Sequence, residues 1–178
     1  MYRAATAQGF ANAQANLGLA YRFGHLGLAA DPQEAARLFR LAADQGNAFA
    51  QDVRGGMCND AVGMPLDRAT AITWYRRAAT QGRIHVEAAL GNLLGEAGQP
   101  EEAAVWLRKA AEAGDASAQF NLAQAYRFGH SVKTDLPQMM LWLRKAAEQG
   151  QVPAMNGLGY SIRSASMTAT ILSRRMPG

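Results

Sequence analysis

The strongest constraint on the fold of this sequence is a motif that recurs about every 36 residues. Each copy ends in a small-residue tail and a glycine, at Gly9, Gly46, Gly82, Gly114 and Gly150, with separations of 37, 36, 32 and 36 residues. On this register the three tryptophans of the chain, Trp74, Trp106 and Trp142, occupy one shared position. Chance does not place every tryptophan on one register, so the chain is an array of homologous units.

Each unit has the pattern of two short amphipathic helices joined by a loop, most clearly between Asn12 and Gly46. Apolar or small residues at spacings of three and four give the first helix one buried stripe, as at Leu17 and Tyr21. Asp31 followed by a proline predicts the start of the second helix, because aspartate caps helix starts and proline is favoured in the first turn. The sequence therefore predicts an all-α protein built from helix pairs.

Large and small side chains alternate between the two helices of a unit. The second helices carry a tryptophan or leucine, a second large residue and then two alanines, as in Leu38-Phe39 before Ala42-Ala43. The first helices carry a small residue directly after their leucine, as at Gly18. Glycine costs about 1 kcal/mol of helix propensity relative to alanine. We expect close approach of the second helix to compensate for that cost.

These residues resemble the Sel-like repeat family (the Sel1 type), a relative of the tetratricopeptide repeat (TPR). The first unit supplies matching residues at Ala13, Leu17, Gly18, Tyr21, Gly24, Gly27, Asp31, Ala35, Ala42, Ala43 and Gly46. The resemblance covers about residues 1–160. It implies a right-handed α/α solenoid, a TPR-like superhelix, that acts as an adaptor for other proteins without catalysis.

We expect one solenoid domain over residues 1–163 and a C-terminal cap or disordered tail over 164–178. The solenoid would comprise a half unit at 1–9, full units at 10–46, 47–82, 83–114 and 115–150, and a partial unit at 151–163. In the second unit Arg54 replaces the leucine and Cys58 the tyrosine, which predicts a short or frayed first helix. Incomplete units at both ends suggest a fragment of a longer array or self-association end to end.

Composition excludes several other classes of protein. The net charge of +4 is spread over the repeats rather than concentrated in runs, which argues against nucleic-acid binding. No apolar run approaches the ~20 residues that span a bilayer. The first residues lack a signal-peptide pattern, although a mature end left after its removal would look the same. The lone Cys58 is compatible with a reducing compartment and leaves both a cytoplasmic and an exported location open.

The residues offer little for catalysis, metal binding or a cofactor. Cys58 has no obvious catalytic partner nearby in sequence, so a buried structural thiol is the favoured interpretation. His25 and His130 occupy matching loop positions three units apart. Units advance by about 10 Å each, too far for one metal ion with bonds of about 2 Å. The sequence therefore predicts no enzyme, no cofactor and no metal site.

The first helices are the better place for function, because in solenoids of this kind they line the concave groove. The first helices carry polar residues that the core pattern does not require, and two phenylalanines next to the arginines. These candidate binding residues are Asn16, Arg22, Phe23, Asn92, Asn121, Arg127, Phe128 and Asn156. By resemblance to TPR grooves, the amides and guanidinium groups would hold a peptide backbone or carboxylate. Surface helix positions needing polar residues explain the same pattern equally well.

The resulting hypothesis is a protein-interaction scaffold that docks a peptide or partner surface in its concave groove. Two alternatives stay open from sequence alone. One is an enzyme or enzyme regulator with an unrecognised site, for instance at Cys58, and the other is a structural protein that self-associates through its ends.

Overall fold

A computed structural model describes residues 10–129 and 132–160, and in these residues the regular structure is entirely helical. The helices are α1 (Ala11–Phe23), α2 (Pro32–Asp44), α3 (Ala48–Asn59), α4 (Arg68–Thr80), α5 (His85–Glu96), α6 (Pro100–Glu112), α7 (Ala116–Phe128) and α8 (Leu136–Glu148). Residues 152–160 are also helical. No helix among the described residues is long and apolar enough to cross a membrane. The predicted half unit at 1–9 and the tail at 164–178 lie outside the described residues.

Polar side chains cap most of these helix starts, as the sequence predicts for Asp31 at α2. Asp31 Oδ1 accepts a hydrogen bond of 2.9 Å from the backbone N–H of Glu34, and Asp135 caps α8 in the same way. Asp115 caps α7 at 2.6 Å, and Asn47 caps α3 at 2.8 Å. Gln99, which matches the pattern less well, provides no side-chain cap for α6. Among the second helices, α2 and α8 thus begin where an aspartate satisfies an otherwise unpaired N–H group, whereas α6 begins without such a cap.

The chain divides after Leu93 into two compact units. In the first compact unit α1 packs on α2, α2 on α3 and α3 on α4. In the second, α6 packs on α7 and α7 on α8. Within each compact unit these helices therefore pack on their neighbours in sequence, as expected for stacked helix pairs.

The core of the first compact unit explains the small residues after the leucines. A methyl group at Gly18 would lie 3.2 Å from the ring carbons of Phe39, because that ring packs directly on the glycine. At Gly55 it would lie 2.6 Å from the Tyr75 ring. The predicted close approach is confirmed in this form: an aromatic side chain of the second helix occupies the space that a Cβ would take.

The prediction that α3 is short was wrong. This helix has 12 residues and buries Met57 and Cys58, despite the loss of the leucine and tyrosine of the repeat pattern. Arg54, in place of the leucine, donates a hydrogen bond of 3.1 Å to the carbonyl oxygen of Ala36. Tyr75, from α4, fills the space against Gly55. Contacts with neighbouring helices thus replace the missing apolar residues.

Buried glutamines form a polar link that recurs along the chain. Gln14, Gln51 and Gln119 each lie five residues after a closing glycine, and each is buried. Gln51 donates a hydrogen bond of 3.2 Å to the carbonyl oxygen of Ala43 and accepts one of 2.7 Å from Gln81. Gln119 likewise donates to the preceding helix pair and accepts from the second helix of its own pair. The amides of Gln51 and Gln119 thus each join two consecutive helix pairs.

Candidate functional site

In the first compact unit, three of the predicted binding residues lie on α1. Asn16 is exposed, Arg22 is half-buried, and Phe23 leaves 56% of its surface exposed although it is fully apolar. The guanidinium carbon of Arg22 lies 5.4 Å from the centroid of the Phe23 ring, a cation–π distance. The last turn of α1 therefore presents an aromatic ring with a cation above it.

The second compact unit repeats this arrangement at the end of α7. Phe128 is 55% exposed, and the Arg127 guanidinium carbon lies 5.2 Å from its ring centroid. Asn121, at the register of Asn16, is half-buried instead of exposed. Exposed phenylalanines at the same position of two helices are informative, because burial in a core does not account for either.

The remaining two predicted residues lie elsewhere on the first helices. Asn92 is exposed on α5, and Asn156 is exposed on the helix at residues 152–160. The structure thus brings Asn16, Arg22 and Phe23 together on one helix, and repeats that grouping on α7.

A pocket that sequence analysis missed adjoins the α1 residues. Its volume is about 270 Å³, and its walls are formed by Asn16, Leu19, Ala20, His25 and Leu26. The His25 ring lies 5.7 Å from the Phe23 ring, centroid to centroid, so the pocket and the exposed phenylalanine form one surface. We call this surface the α1 loop pocket.

The loop between α1 and α2 turns through an unusual backbone conformation at Leu26. The N–H of Leu28 donates to the carbonyl oxygen of His25 at 3.1 Å, which closes a turn around Leu26 and Gly27. Both central residues have positive φ, at 58° and 73°. Glycine adopts this region freely, whereas a residue with a Cβ pays about 1–2 kcal/mol. Leu26 therefore holds the strained position of the turn.

A second cavity, of about 350 Å³, lies on α6 beside the loop that precedes α8. It is lined by Glu101, Ala104, Val105, Arg108, Lys109, Glu112 and Val132. Two carboxylates and two cations surround its apolar floor, so its charges balance. Arg108 is already engaged, because its guanidinium donates to the Tyr126 hydroxyl at 2.9 Å.

The basic residues of the second helices cover the tryptophans. Arg77 lies 4.9 Å above the Trp74 ring centroid, and Lys145 lies 4.4 Å above that of Trp142. Lys109 lies 5.1 Å above Trp106 in the same register. The Trp74 and Trp142 rings are buried and the Trp106 ring is half-buried, which distinguishes these contacts from the exposed pairs on α1 and α7.

An ionic cluster joins α3 to the start of α5. One oxygen of Asp52 lies 2.6 Å from Arg83 Nη2 and 2.6 Å from His85 Nε2. The Arg83 guanidinium carbon also lies 5.5 Å from the Phe49 ring centroid. All of these partners belong to the first compact unit, and their contacts account for the cluster as a clamp between helices.

The structure disfavours Cys58 as a nucleophile. Its side chain is buried, at 1% exposure, and its Sγ contacts the sulfur of Met64 at 3.2 Å. Burial raises the pKa of the Cys58 thiol, which keeps it in the unreactive protonated form. Among the described residues no group of histidine, cysteine and carboxylate side chains is arranged to hold a metal. His130, the predicted counterpart of His25, lies outside these residues.

Comparison with known proteins identifies the repeat. The family model described as the Sel1 repeat matches residues 11–47, 55–82, 87–115 and 116–151. These matches cover well over half of the chain. The chain belongs to the Sel1 repeat family. The second match begins at Gly55, inside α3, where the sequence departs most from the repeat pattern.

Solved structures confirm the predicted class of fold. A protective antigen of uropathogenic Escherichia coli that displays the SLR fold is 34% identical, with a TM-score of 0.82 over 92% of this chain and 36% of its own. A Sel1 repeat protein from Oxalobacter formigenes is 33% identical, with a TM-score of 0.76 over 87% of this chain and 65% of its own. The fold is therefore the all-α, TPR-like solenoid of Sel1 repeat proteins.

A curated relative is much longer than the aligned region. Chitin synthase regulatory factor 4 of Schizosaccharomyces pombe is 30% identical over 116 residues, which are 65% of this chain and 18% of that protein. The Sel1 repeats of this chain thus match a minor part of that relative.

Proposed function

We propose that these Sel1 repeats bind a peptide or partner protein along their first helices, on the face that the sequence predicts to be concave, and that they do so without catalysis. The observation that carries this proposal is the repeated arginine–phenylalanine pair at the ends of α1 and α7. Sel1 repeat proteins are generally interaction scaffolds. The name of the S. pombe relative, a regulatory factor of chitin synthase, describes a protein that acts on another protein.

The exposed phenylalanines support the proposal energetically. Covering the open surface of Phe23 or Phe128 would contribute about 1–2 kcal/mol each at the usual value for buried apolar area. Aromatic and arginine side chains are enriched among the residues that dominate interface affinity. Each compact unit carries one such pair.

The polar residues would set the orientation of the ligand. Asn16 presents an exposed amide that is able both to donate to and accept from a peptide backbone. The stacked guanidinium of Arg22 is held by the ring beneath it and keeps donors available at its edge. A carboxylate on the ligand would complete that group with a charge-assisted hydrogen bond.

A pull-down from a lysate of the source organism, quantified by mass spectrometry, tests the proposal. The bait would be wild-type protein beside a variant with Asn16→Ala, Arg22→Ala, Asn121→Ala and Arg127→Ala. The matched control carries Lys109→Ala and Lys145→Ala, which also removes two cation–ring contacts and two positive charges, but on the second helices.

We expect wild type and the control to capture a partner that the first-helix variant does not capture. The far-ultraviolet circular dichroism spectra of the three proteins should be the same. Equal capture by all three proteins would refute binding at these residues. Loss from both variants would point to non-specific attraction by positive charge. Self-association stays a separate prediction, and light scattering across a range of concentrations tests it.

A further inference from the structure

We infer that the α1 loop pocket binds an aliphatic side chain of a peptide ligand and that Arg22 binds a carboxylate next to that side chain. This inference rests on the proposed function and specifies the chemistry of the ligand. It follows from three independent features of the first compact unit: a strained leucine, an open pocket and an arginine without an acidic neighbour.

The strained leucine is the first feature. Leu26 occupies a turn position with φ of 58°, where glycine or asparagine is the preferred residue. The corresponding loop of the second repeat is one residue shorter, since the N–H of the capping aspartate donates to the carbonyl oxygen of Tyr21 ten residues back in the first repeat and to that of Cys58 nine residues back in the second. Counted back from that aspartate, Gly63 (φ of 70°) corresponds to Gly27 (φ of 73°), and Leu26 is the additional residue. The second repeat therefore closes its loop without a counterpart of Leu26.

Packing within the protein does not compensate for the strain either. Leu26 is 69% exposed, the largest exposed fraction among the large apolar side chains of the described residues. Side chains held in costly backbone conformations concentrate at ligand-binding sites, where binding repays the cost. Leu26 is thus positioned to contact something outside this chain.

The pocket beside Leu26 has the size and the lining for an aliphatic group. Its volume is about 270 Å³, and it is lined by Leu19, Ala20 and Leu26 together with Asn16 and His25. Three of the five lining side chains are apolar and none carries a fixed charge, so the pocket favours a leucine-like group over a charged one. The Asn16 amide is placed to hold the backbone on either side of that group.

Arg22 adds the charge requirement. Within the described residues no carboxylate forms an ion pair with it, in contrast to Arg37, which binds Glu34 at 2.7 Å, and Arg83, which binds Asp52. Its contact with Phe23 occupies one face of the guanidinium and leaves the N–H edges for a ligand. A ligand carboxylate adjacent to the aliphatic group therefore matches both features.

The test uses four fluorescent peptides and three proteins. The parent peptide is Gly-Ser-Leu-Asp-Ser-Gly, and the others replace its leucine by alanine, its aspartate by asparagine, or both. Wild type is compared with Leu26→Asn, which suits the turn, and with Arg22→Gln. Fluorescence anisotropy gives the affinities, and thermal unfolding gives the stability of each protein.

We expect wild type to bind the parent peptide about tenfold or more tightly than the alanine peptide. Leu26→Asn should bind the parent at least fivefold more weakly, yet melt about 2–4 °C higher because the strain is relieved. Arg22→Gln should no longer distinguish aspartate from asparagine, as a double-mutant cycle would show.

Equal binding of all four peptides to wild type, or binding of none, would overturn the inference. So would a Leu26→Asn protein that melts lower than wild type or binds the parent unchanged. The pull-down distinguishes failure of this inference from failure of the proposed function. If the first-helix variant still loses a partner there, the proposed function stands and only the inferred ligand chemistry is wrong.

Discussion

Replacing Gly55 by alanine provides a stringent test of how the first and second helices pack. Gly55 lies inside α3, where alanine would gain about 1 kcal/mol of helix propensity over glycine. The new methyl group would, however, lie 2.6, 2.7 and 2.9 Å from three carbons of the Tyr75 ring. The two effects have opposite signs, so the measured stability shows which is larger.

The structure gives the magnitude. Non-bonded carbons prefer about 3.5–4.0 Å, so the ring must move by about 1 Å. Tyr75 is only 8% exposed, which leaves it little room to move. Overpacking costs about 1–3 kcal/mol, and contacts as short as 2.6 Å correspond to the upper part of that range, about 2–3 kcal/mol. Subtracting the propensity gain of about 1 kcal/mol leaves a net loss of about 1–2 kcal/mol. For a chain of this size, that loss lowers the melting temperature by roughly 2–8 °C.

Urea unfolding followed by circular dichroism at 222 nm measures the effect, and two other glycines serve as controls. At Gly56 the nearest atom to a new methyl group is the Tyr75 hydroxyl, at 3.4 Å, and at Gly95 it is the Ala103 Cβ, at 4.0 Å. Alanine at either site should leave stability unchanged or raise it by up to about 1 kcal/mol. A Gly55→Ala protein as stable as these two would refute the packing argument.

The fourth repeat suggests a compensating change. At the registers of Gly55 and Tyr75 it has Ala123 and Leu143, both buried, so a larger residue on one helix accompanies a smaller one on the other. Adding Tyr75→Leu to Gly55→Ala should therefore cost less than the sum of the single changes. Strict additivity would show that the two residues do not share one space.

Three further predictions concern buried groups. Burial raises the pKa of Tyr75 to about 12, against about 10 in the unfolded chain. The stabilisation from the neutral tyrosine should therefore be complete below about pH 10, and the free energy of unfolding should fall by about 2–3 kcal/mol as the pH rises to about 12. Comparing the urea midpoints of wild type and Tyr75→Phe across this range isolates the loss. Gln51→Leu removes the bonds to Ala43 and Gln81 and should cost about 1–3 kcal/mol in urea, whereas an unchanged midpoint would contradict the role of the amide. In the folded protein Cys58 should react with a disulfide reagent more slowly than a free thiol, and unfolding in urea should remove this difference. Rapid reaction of the folded protein would contradict this prediction and support Cys58 as a catalytic residue.

Much of the fold was predictable because it depends on local signals. These signals are the closing glycines, the capping aspartates and the apolar residues spaced by three and four. Each acts within one or two turns of a helix and can be recognised in the sequence. The shortness predicted for α3 failed because its stability comes from tertiary contacts, the Arg54 bond to Ala36 and the Tyr75 ring against Gly55. Such contacts override a repeat consensus, since they bury the same helix face with different residues.

The candidate site was predictable only in part. The shared registers of Arg22 with Arg127 and of Phe23 with Phe128 were visible, and the structure adds their stacking and exposure. The α1 loop pocket was missed because loop walls depend on backbone dihedrals. One sequence signal existed, namely that the loop before Asp31 is one residue longer than the loop before Asp67.

The buried glutamine amides bear on how arrays of this family change length. Gln51 and Gln119 each donate into the helix pair before their own and accept from the glutamine that ends the second helix of their own pair, whereas the α5–α6 pair has Glu87 at this register. Duplicating a whole pair that carries the glutamine therefore leaves every such bond satisfied. A cut at any other length would bury a polar group without its partner, at a cost of about 1–3 kcal/mol. Genetic recombination in whole repeats is accordingly the change that this architecture tolerates best.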